Sequence, residues 1–150
     1  MIPLTEFADR VQVLMPLIMR ETVKRHDDDI LTGKITPAQY IILSLLEERG
    51  ALCMTDVAHS IGVSTAATTG SVDRLVRDGY VQRLFEPGDR RIIKIRLTAR
   101  GSELVVKIRN QRRRMIMTTF GKLSAQDRQD YLAILERIRQ ILISDNTSQQ

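Results

Sequence analysis

Ser64-Thr65-Ala66-Ala67-Thr68-Thr69-Gly70-Ser71-Val72-Asp73-Arg74-Leu75-Val76-Arg77-Asp78-Gly79 runs into Tyr80-Val81-Gln82-Arg83-Leu84-Phe85-Glu86, then through Pro87-Gly88-Asp89-Arg90-Arg91 into Ile92-Ile93-Lys94-Ile95-Arg96-Leu97-Thr98. A serine at the head of such a run caps a helix, because its hydroxyl accepts an orphan N–H of the first turn. Glycine suits the helix end. The first stretch therefore reads as a helix over 64–78. Strand-like runs follow at 80–86 and 92–97, joined by a tight turn at 87–91, and Thr98 caps a new helix. Helix, hairpin and helix in this order make a winged helix. One rod can enter a groove of a duplex, and an arginine-tipped hairpin can flank it.

On the 64–78 helix, Thr68, Val72, Leu75 and Val76 are spaced by three and four and must face a core. The opposite face carries Thr65, Ala66, Thr69, Gly70 and Asp73. Short side chains let a helix settle into a major groove about 12 Å wide, and threonine can offer a hydroxyl or a methyl to base edges. Gly70 costs about 1 kcal/mol relative to alanine in a helix interior. Either a close approach to DNA or a close helix crossing could compensate. Ser64, Arg74 and Arg77 sit at the flanks, where phosphate contacts fix register; a solvated face with Asp73 and Asp78 as partners is the other reading of the two arginines. In the wing, Asp89 two residues before Arg91 can hold the guanidinium in one direction, aimed at a narrow minor groove.

Outward from this unit, Gly62-Val63-Ser64 has the spacing of the turn in a helix-turn-helix. The helix before it begins at Thr55-Asp56, with Val57, Ala58 and Ile61 inward. Leu52-Cys53-Met54 reads as a brief strand. Thr36-Pro37-Ala38-Gln39 is a capping box with proline at the first helical position, opening a helix whose inner face is Ala38, Ile41, Ile42, Leu45 and Leu46. At the N-terminal end, Leu4, Phe7, Val11, Leu14 and Ile18 form one apolar stripe. Val13, Leu17 and Met19 widen it beyond what a small surface helix needs, which implies burial against a second chain. This helix ends between Asp27-Asp28-Asp29 and Leu31. A fifth helix carries Leu104, Val105, Ile108, Met115 and Phe120. A sixth, capped at Leu123-Ser124-Ala125-Gln126-Asp127, carries Tyr131, Ile134, Leu135, Ile138, Ile141 and Leu142. The fold class is mainly α with a small β wing, a winged helix-turn-helix with N- and C-terminal dimerisation helices. The expected organisation is a dimerisation helix over 1–34, a DNA-binding domain over 35–100, dimerisation helices over 101–145 and a frayed tail over 146–150.

The 150 residues carry a net charge of +5, and its distribution is uneven. Residues 1–53 hold 6 basic and 8 acidic side chains, whereas residues 54–150 hold 17 and 10. Positive charge begins where the reading unit begins, as phosphate contact requires. No apolar run approaches the roughly 20 residues that span a bilayer. Met1-Ile2-Pro3-Leu4-Thr5-Glu6 lacks the basic region of a secretory signal. Cys53 is the single cysteine, so no intrachain disulfide forms and a reducing cytoplasm is the expected setting. In an apolar run it reads as a small hydrophobe rather than a redox sensor. His26, beside three aspartates, reads as a solvated helix end, and with His59 it forms no metal-binding spacing. No catalytic triad and no phosphate-cradling glycine loop is present, so the expectation is a non-enzyme with no metal and no cofactor. The run Arg109, Arg112, Arg113 and Arg114 is open to three readings: a solvated face, ion pairs to Asp27–Asp29 of another subunit, or attraction for DNA.

Taken together, Thr36-Pro37-x-Gln39-Tyr40, Val72-Asp73-Arg74-Leu75-Val76-x-x-Gly79-Tyr80-Val81, and Asp89-Arg90-Arg91 followed by Leu97-Thr98-x-x-Gly101 resemble the MarR family (multiple antibiotic resistance regulators) over nearly the whole chain. Gly70 and Ser71 depart from that family's pattern, where larger residues are often found. The resemblance implies a homodimeric transcription factor, most often a repressor, whose first, fifth and sixth helices form the dimer lobe. It implies that the fourth helix reads the major groove of double-stranded DNA and that Arg91, steadied by Asp89, enters the minor groove. It also implies a small aromatic or amphipathic acid that releases DNA from between the two lobes, in a crevice lined by the first, second and fifth helices. Twofold symmetry then requires a pseudo-palindromic operator with half-sites about one helical turn apart. Two other readings remain at this point, a winged-helix module that binds an acidic protein and a nonspecific architectural DNA binder.

Overall fold

The computed structural model describes residues 1–25, 29–30, 33–86 and 89–147. Its elements are α1 (Leu4–Arg25), α2 (Pro37–Arg49), β1 (Leu52–Cys53), α3 (Met54–Ile61), α4 (Thr65–Arg77), β2 (Val81–Glu86), β3 (Asp89–Leu97), α5 (Ala99–Phe120) and α6 (Ala125–Thr147). Three antiparallel strands in the order β1-β3-β2 make the sheet. The chain divides into two compact units, 1–112 and 113–150.

The core lies in the first unit. Ile42, Leu43 and Leu46 of α2, Val57 of α3, Val72 and Leu75 of α4, Val81 and Ile95 of the sheet, and Val105 and Ile108 of α5 are all buried in it. Thr68, Val72 and Leu75 hold the inward face of α4 as their spacing predicts, with Val76 half-buried. The capping box at α2 forms in full: Gln39 N–H donates to Thr36 Oγ1 at 3.2 Å, and Thr36 N–H donates to Gln39 Oε1 at 2.9 Å. The inner face of α2 differs from the expected one. Ala38 and Ile41 are exposed, and Gln39, Ile42, Leu43 and Leu46 face inward. Ile41-Ile42-Leu43 and Leu45-Leu46 leave the apolar stripe ambiguous by one position, and the inward turn of the capping glutamine settles it. In the third helix the start falls at Met54 with Cys53 in the cap position, so Thr55 is not the cap. Cys53 itself is half-buried on β1.

Thr98 joins three elements. Its hydroxyl donates to the Gly79 carbonyl at 2.7 Å and accepts the Gly101 N–H at 3.1 Å, while its own N–H donates to the Tyr80 carbonyl at 3.1 Å. The first turn of α5 thereby crosses the start of β2 at close range. A Cβ on Gly101 would strike the Tyr80 carbonyl oxygen, well inside van der Waals contact, and would press on Leu97.

Asp29 is a buried carboxylate that composition and spacing did not single out as structural. It is 2% exposed and forms ion pairs with Lys107 Nζ at 2.6 Å and Lys34 Nζ at 3.4 Å. Its backbone N–H donates to Gln111 Oε1 at 3.5 Å, and its carbonyl accepts from Ile35 N–H at 2.9 Å. The approach to α2 is thus fastened to α5. Burial alone would raise the pKa of this carboxyl, but the ammonium groups of Lys107 and Lys34 outweigh burial and hold it below the ordinary aspartate value. His26, Asp27, Asp28, Leu31, Pro87 and Gly88 lie outside the described residues.

α1 has no buried residue, and Leu4, Phe7, Leu14 and Ile18 of its apolar stripe are exposed. In the second unit, Ser124 and Asp127 cap α6 reciprocally, Asp127 N–H donating to Ser124 Oγ at 3.1 Å and Ser124 N–H to Asp127 Oδ2 at 3.2 Å. The Phe120 and Tyr131 rings meet with centroids 5.2 Å apart. They line an apolar groove with Ile116, Leu132, Leu135 and the Arg128 side chain. Along the rest of α6, Ile134, Ile138, Ile141 and Leu142 are exposed. Among the described residues, no helix is long and apolar enough to cross a membrane.

Two outcomes follow from this packing. Gly101→Ala destabilises the chain by about 1–3 kcal/mol through overpacking, against the gain that alanine normally brings in a helix; urea unfolding measures it, and a stabilised variant would contradict the close crossing. Asp29 supplies stability that is fully present above its unfolded-state pKa of about 3.9 and is lost as pH falls through its lower folded-state value. The stability difference between the wild type and Asp29→Asn therefore narrows on acidification from about pH 5, and a difference that stays constant down to acid would contradict the ion pairs.

Candidate nucleic-acid interface

Helix-turn-helix geometry is built from local chemistry. Gly62 closes α3 in the left-handed conformation (φ 68°), and its N–H together with that of Val63 meets the last carbonyls of α3. A left-handed residue with no Cβ penalty is what this reversal requires. Ser64 then caps α4 with Oγ accepting Ala67 N–H at 3.3 Å, which leaves the serine O–H to donate outward. Gly79 (φ 78°) turns the chain from α4 into β2.

With Thr68, Val72 and Leu75 inward, Thr65, Ala66, Ala67, Gly70, Asp73, Arg74 and Arg77 are exposed, and Thr69 is half-buried. The structure refines three of these positions. Thr69 donates its hydroxyl to the Thr65 carbonyl at 2.8 Å, so a lone pair and a methyl are what the side chain has left to offer. Arg77 pairs with its neighbour Asp78 at 3.3 Å, both well exposed. Asp73 pairs with neither nearby arginine; its partner is Arg83 on β2. Arg83 was not among the residues the sequence marked. It shares one face of β2 with Val81 and Phe85, and its charge falls where that face meets α4. Only a pairing between α4 and β2 could have revealed it.

In the wing, β2 and β3 pair from Val81↔Leu97 out to Phe85↔Ile93, with an irregularity before Glu86↔Asp89. Asp89, Arg90 and Arg91 therefore belong to strand β3 rather than to the expected five-residue turn, because the ladder continues past Ile92. Phe85 on the opposite strand is 62% exposed, and Tyr80 is half-buried beneath the Arg100 guanidinium, 4.9 Å from the ring centroid.

Of the arginine run on α5, two members are tied to α2. Arg109 pairs with Glu47, and Arg112 lies over the Tyr40 ring at 4.9 Å. None of the three sequence readings foresaw these contacts. Arg113 and Arg114 are exposed. Of the acidic cluster, Asp29 meets lysines of its own chain instead of another subunit's arginines. The groups of His, Cys, Asp and Glu among the described residues form no metal-holding cluster.

A capped reading-type helix after a glycine turn, followed by a two-stranded wing and a helix locked across its base, defines a winged helix-turn-helix protein. Residues 35–93 match the MarR family model. The chain is 27% identical over 135 residues to the HTH-type transcriptional repressor NicR of Pseudomonas putida, spanning 87% of this chain and 84% of that one. The YusO protein of Bacillus subtilis shares the fold with a TM-score of 0.74 at 20% identity, over 93% of this chain and 99% of its own. BpsR of Bordetella bronchiseptica, solved to explain regulation of its DNA binding by 6-hydroxynicotinic acid, matches at 25% identity and a TM-score of 0.60, over 87% and 98%. Residues 35–93 form a MarR-family domain, which marks the chain as a DNA-binding transcriptional regulator and not an enzyme.

Asp73 is a carboxylate on the exposed side of α4, which would repel phosphate if that side met a duplex, and Arg83 neutralises it. Arg83→Ala accordingly weakens binding to duplex DNA severalfold, and Asp73→Asn in the same chain restores it. Unfolding free energy moves by no more than about 0.5 kcal/mol in either variant, since the pair is largely solvated. Fluorescence anisotropy at fixed salt checks the cycle; a double variant as weak as the single would mean that Arg83 itself touches phosphate.

Proposed function

We propose that the chain acts as a homodimeric repressor that reads a pseudo-palindromic operator, with α4 in the major groove and the wing at Asp89, Arg90 and Arg91 in the adjacent minor groove. The observation that carries this reading is the outer face of α4. It is capped by Ser64, presents Thr65, Ala66 and Gly70 without bulk, and is flanked by exposed Arg74 and Arg77. Small groups at the centre and cations at the edge match base contact at the centre and phosphate contact at the edge. Thr69 contributes its methyl and a hydroxyl lone pair.

The dimer is supported by apolar surface that a lone chain leaves wet. Leu4, Phe7, Leu14 and Ile18 of α1 and Leu132, Ile138, Ile141 and Leu142 of α6 are exposed, far more than isolated surface hydrophobics amount to. On this reading residues 1–34 and 101–145 serve assembly, and residues 35–100 serve DNA. Repression is supported by the likeness to NicR. Release by a small aromatic acid is supported by the likeness to BpsR and by the cations of α5. Lys107, Arg109 and Arg112 are engaged by Asp29, Glu47 and Tyr40, so an anionic ligand among α1, α2 and α5 can compete for them. Such a ligand shifts DNA affinity only through different affinities for the two arrangements of the reading heads. The setting we assign is the cytoplasm.

Phe85 supports a second reading, a wing that docks on protein, because its ring is exposed beside the hairpin. Selection of bound duplexes from a random pool separates the two. The regulator selects a twofold-symmetric site with half-sites about one helical turn apart and binds it at least about 10³-fold more tightly than scrambled duplex. Arg91→Ala weakens that binding and lowers the salt slope by about one unit. An unselective pool, or an Arg91→Ala variant indistinguishable from wild type in affinity and slope, would overturn the proposal.

A further inference from the structure

We infer that Gly70 is a specificity-determining residue of the reading helix: the missing side chain leaves a notch that takes the C5-methyl group of a thymine. The inference rests on the operator-reading function proposed above and adds what one position of that operator must be.

Gly70 lies inside a 13-residue helix, where glycine costs about 1 kcal/mol relative to alanine. The fold gives no reason for it. Gly70 is not among the glycines with positive φ. A Cβ built on it meets nothing within 4 Å, which removes the close helix crossing that the sequence left open. Gly101 shows the contrast, since its Cβ would collide with the Tyr80 carbonyl. A glycine that neither the backbone nor the packing needs, on the exposed face of a DNA-binding regulator, is left with an intermolecular explanation.

Neighbouring groups restrict what can enter. On a helix, positions three and four away border Gly70, so Ala66, Ala67, Asp73 and Arg74 surround it. The alanines end in methyls. Thr69 spends its hydroxyl proton on the Thr65 carbonyl. Asp73, held by Arg83, accepts hydrogen bonds and repels phosphate. Apart from Arg74, which has the length to reach past the notch to the backbone, a base acceptor such as guanine O6 or N7 would find no donor there. An apolar group that asks for no hydrogen bond fits, and the thymine methyl is the one such group on a base edge in the major groove.

The test begins with the duplex that the wild-type protein selects from a random pool. Each thymine of that site is replaced in turn by deoxyuridine, which removes only the C5-methyl. Wild type should lose affinity severalfold at one thymine per half-site. Gly70→Ala and Gly70→Ser should bind the thymine-containing site about tenfold or more weakly, with no further loss from uracil at that position. Thermal unfolding moves the other way: Gly70→Ala raises Tm by roughly 2–4 °C, because alanine favours the helix and its Cβ is unobstructed. Full affinity in both variants, uracil penalties identical in variant and wild type, or a fall in both Tm and affinity would each overturn the inference. A pool with no shared sequence would remove the operator reading at the first step, with the wild-type protein alone, and this inference with it.

Discussion

Thr98 stands where the reading helix, the wing and α5 meet. One hydroxyl serves the Gly79 carbonyl and the Gly101 N–H, and the adjoining peptide N–H serves the Tyr80 carbonyl. The end of α4, the root of β2, the end of β3 and the first turn of α5 are therefore fixed to one another by three hydrogen bonds and one glycine contact. A helix and a wing whose separation is already set lose less conformational freedom when they bind a partner together. The Asp73–Arg83 pair adds a second tie between α4 and β2 farther out. Between them lies Val81, buried against the core shared by α4 and the sheet.

The same logic extends to the approach to α2. Asp29 is drawn into the protein because two ammonium groups and an amide receive it, and Ile30 and Ile35 beside it enter the core. With Arg109 on Glu47 and Arg112 over Tyr40, charged contacts join α5 to α2 alongside the apolar packing of Val105 and Ile108 in the shared core. Charge-based joints exchange partners readily where apolar ones do not.

Much of this was legible in the sequence because the signals were local. Ser64, Thr36 with Gln39, Ser124 with Asp127, and the glycines at 50, 62 and 79 each act within four residues, and each appears where its chemistry requires. The inward face of α4 followed from spacing alone. What sequence could not give were pairings between elements. Arg83 meets Asp73 across the gap between strand and helix, Asp29 meets Lys107 across about half the chain, and neither partner announces the other. The inner face of α2 was misplaced by one position because consecutive isoleucines and leucines carry no phase. The five-residue wing turn is too long because Asp89, Arg90 and Arg91 are turn-like by type, whereas the ladder with β2 extends through an irregularity to Asp89. Gly70 admits two explanations from sequence, and its open surroundings remove the helix crossing.

Dimethyl sulfate footprinting on the selected operator tests the central claim most directly, since it reports guanine N7 in the major groove and adenine N3 in the minor groove at once. The expected result is two patches of N7 protection on one face of the duplex, about one helical turn apart, each with N3 protection in the neighbouring minor groove. Protection confined to one groove, or spread evenly along the duplex, would contradict it.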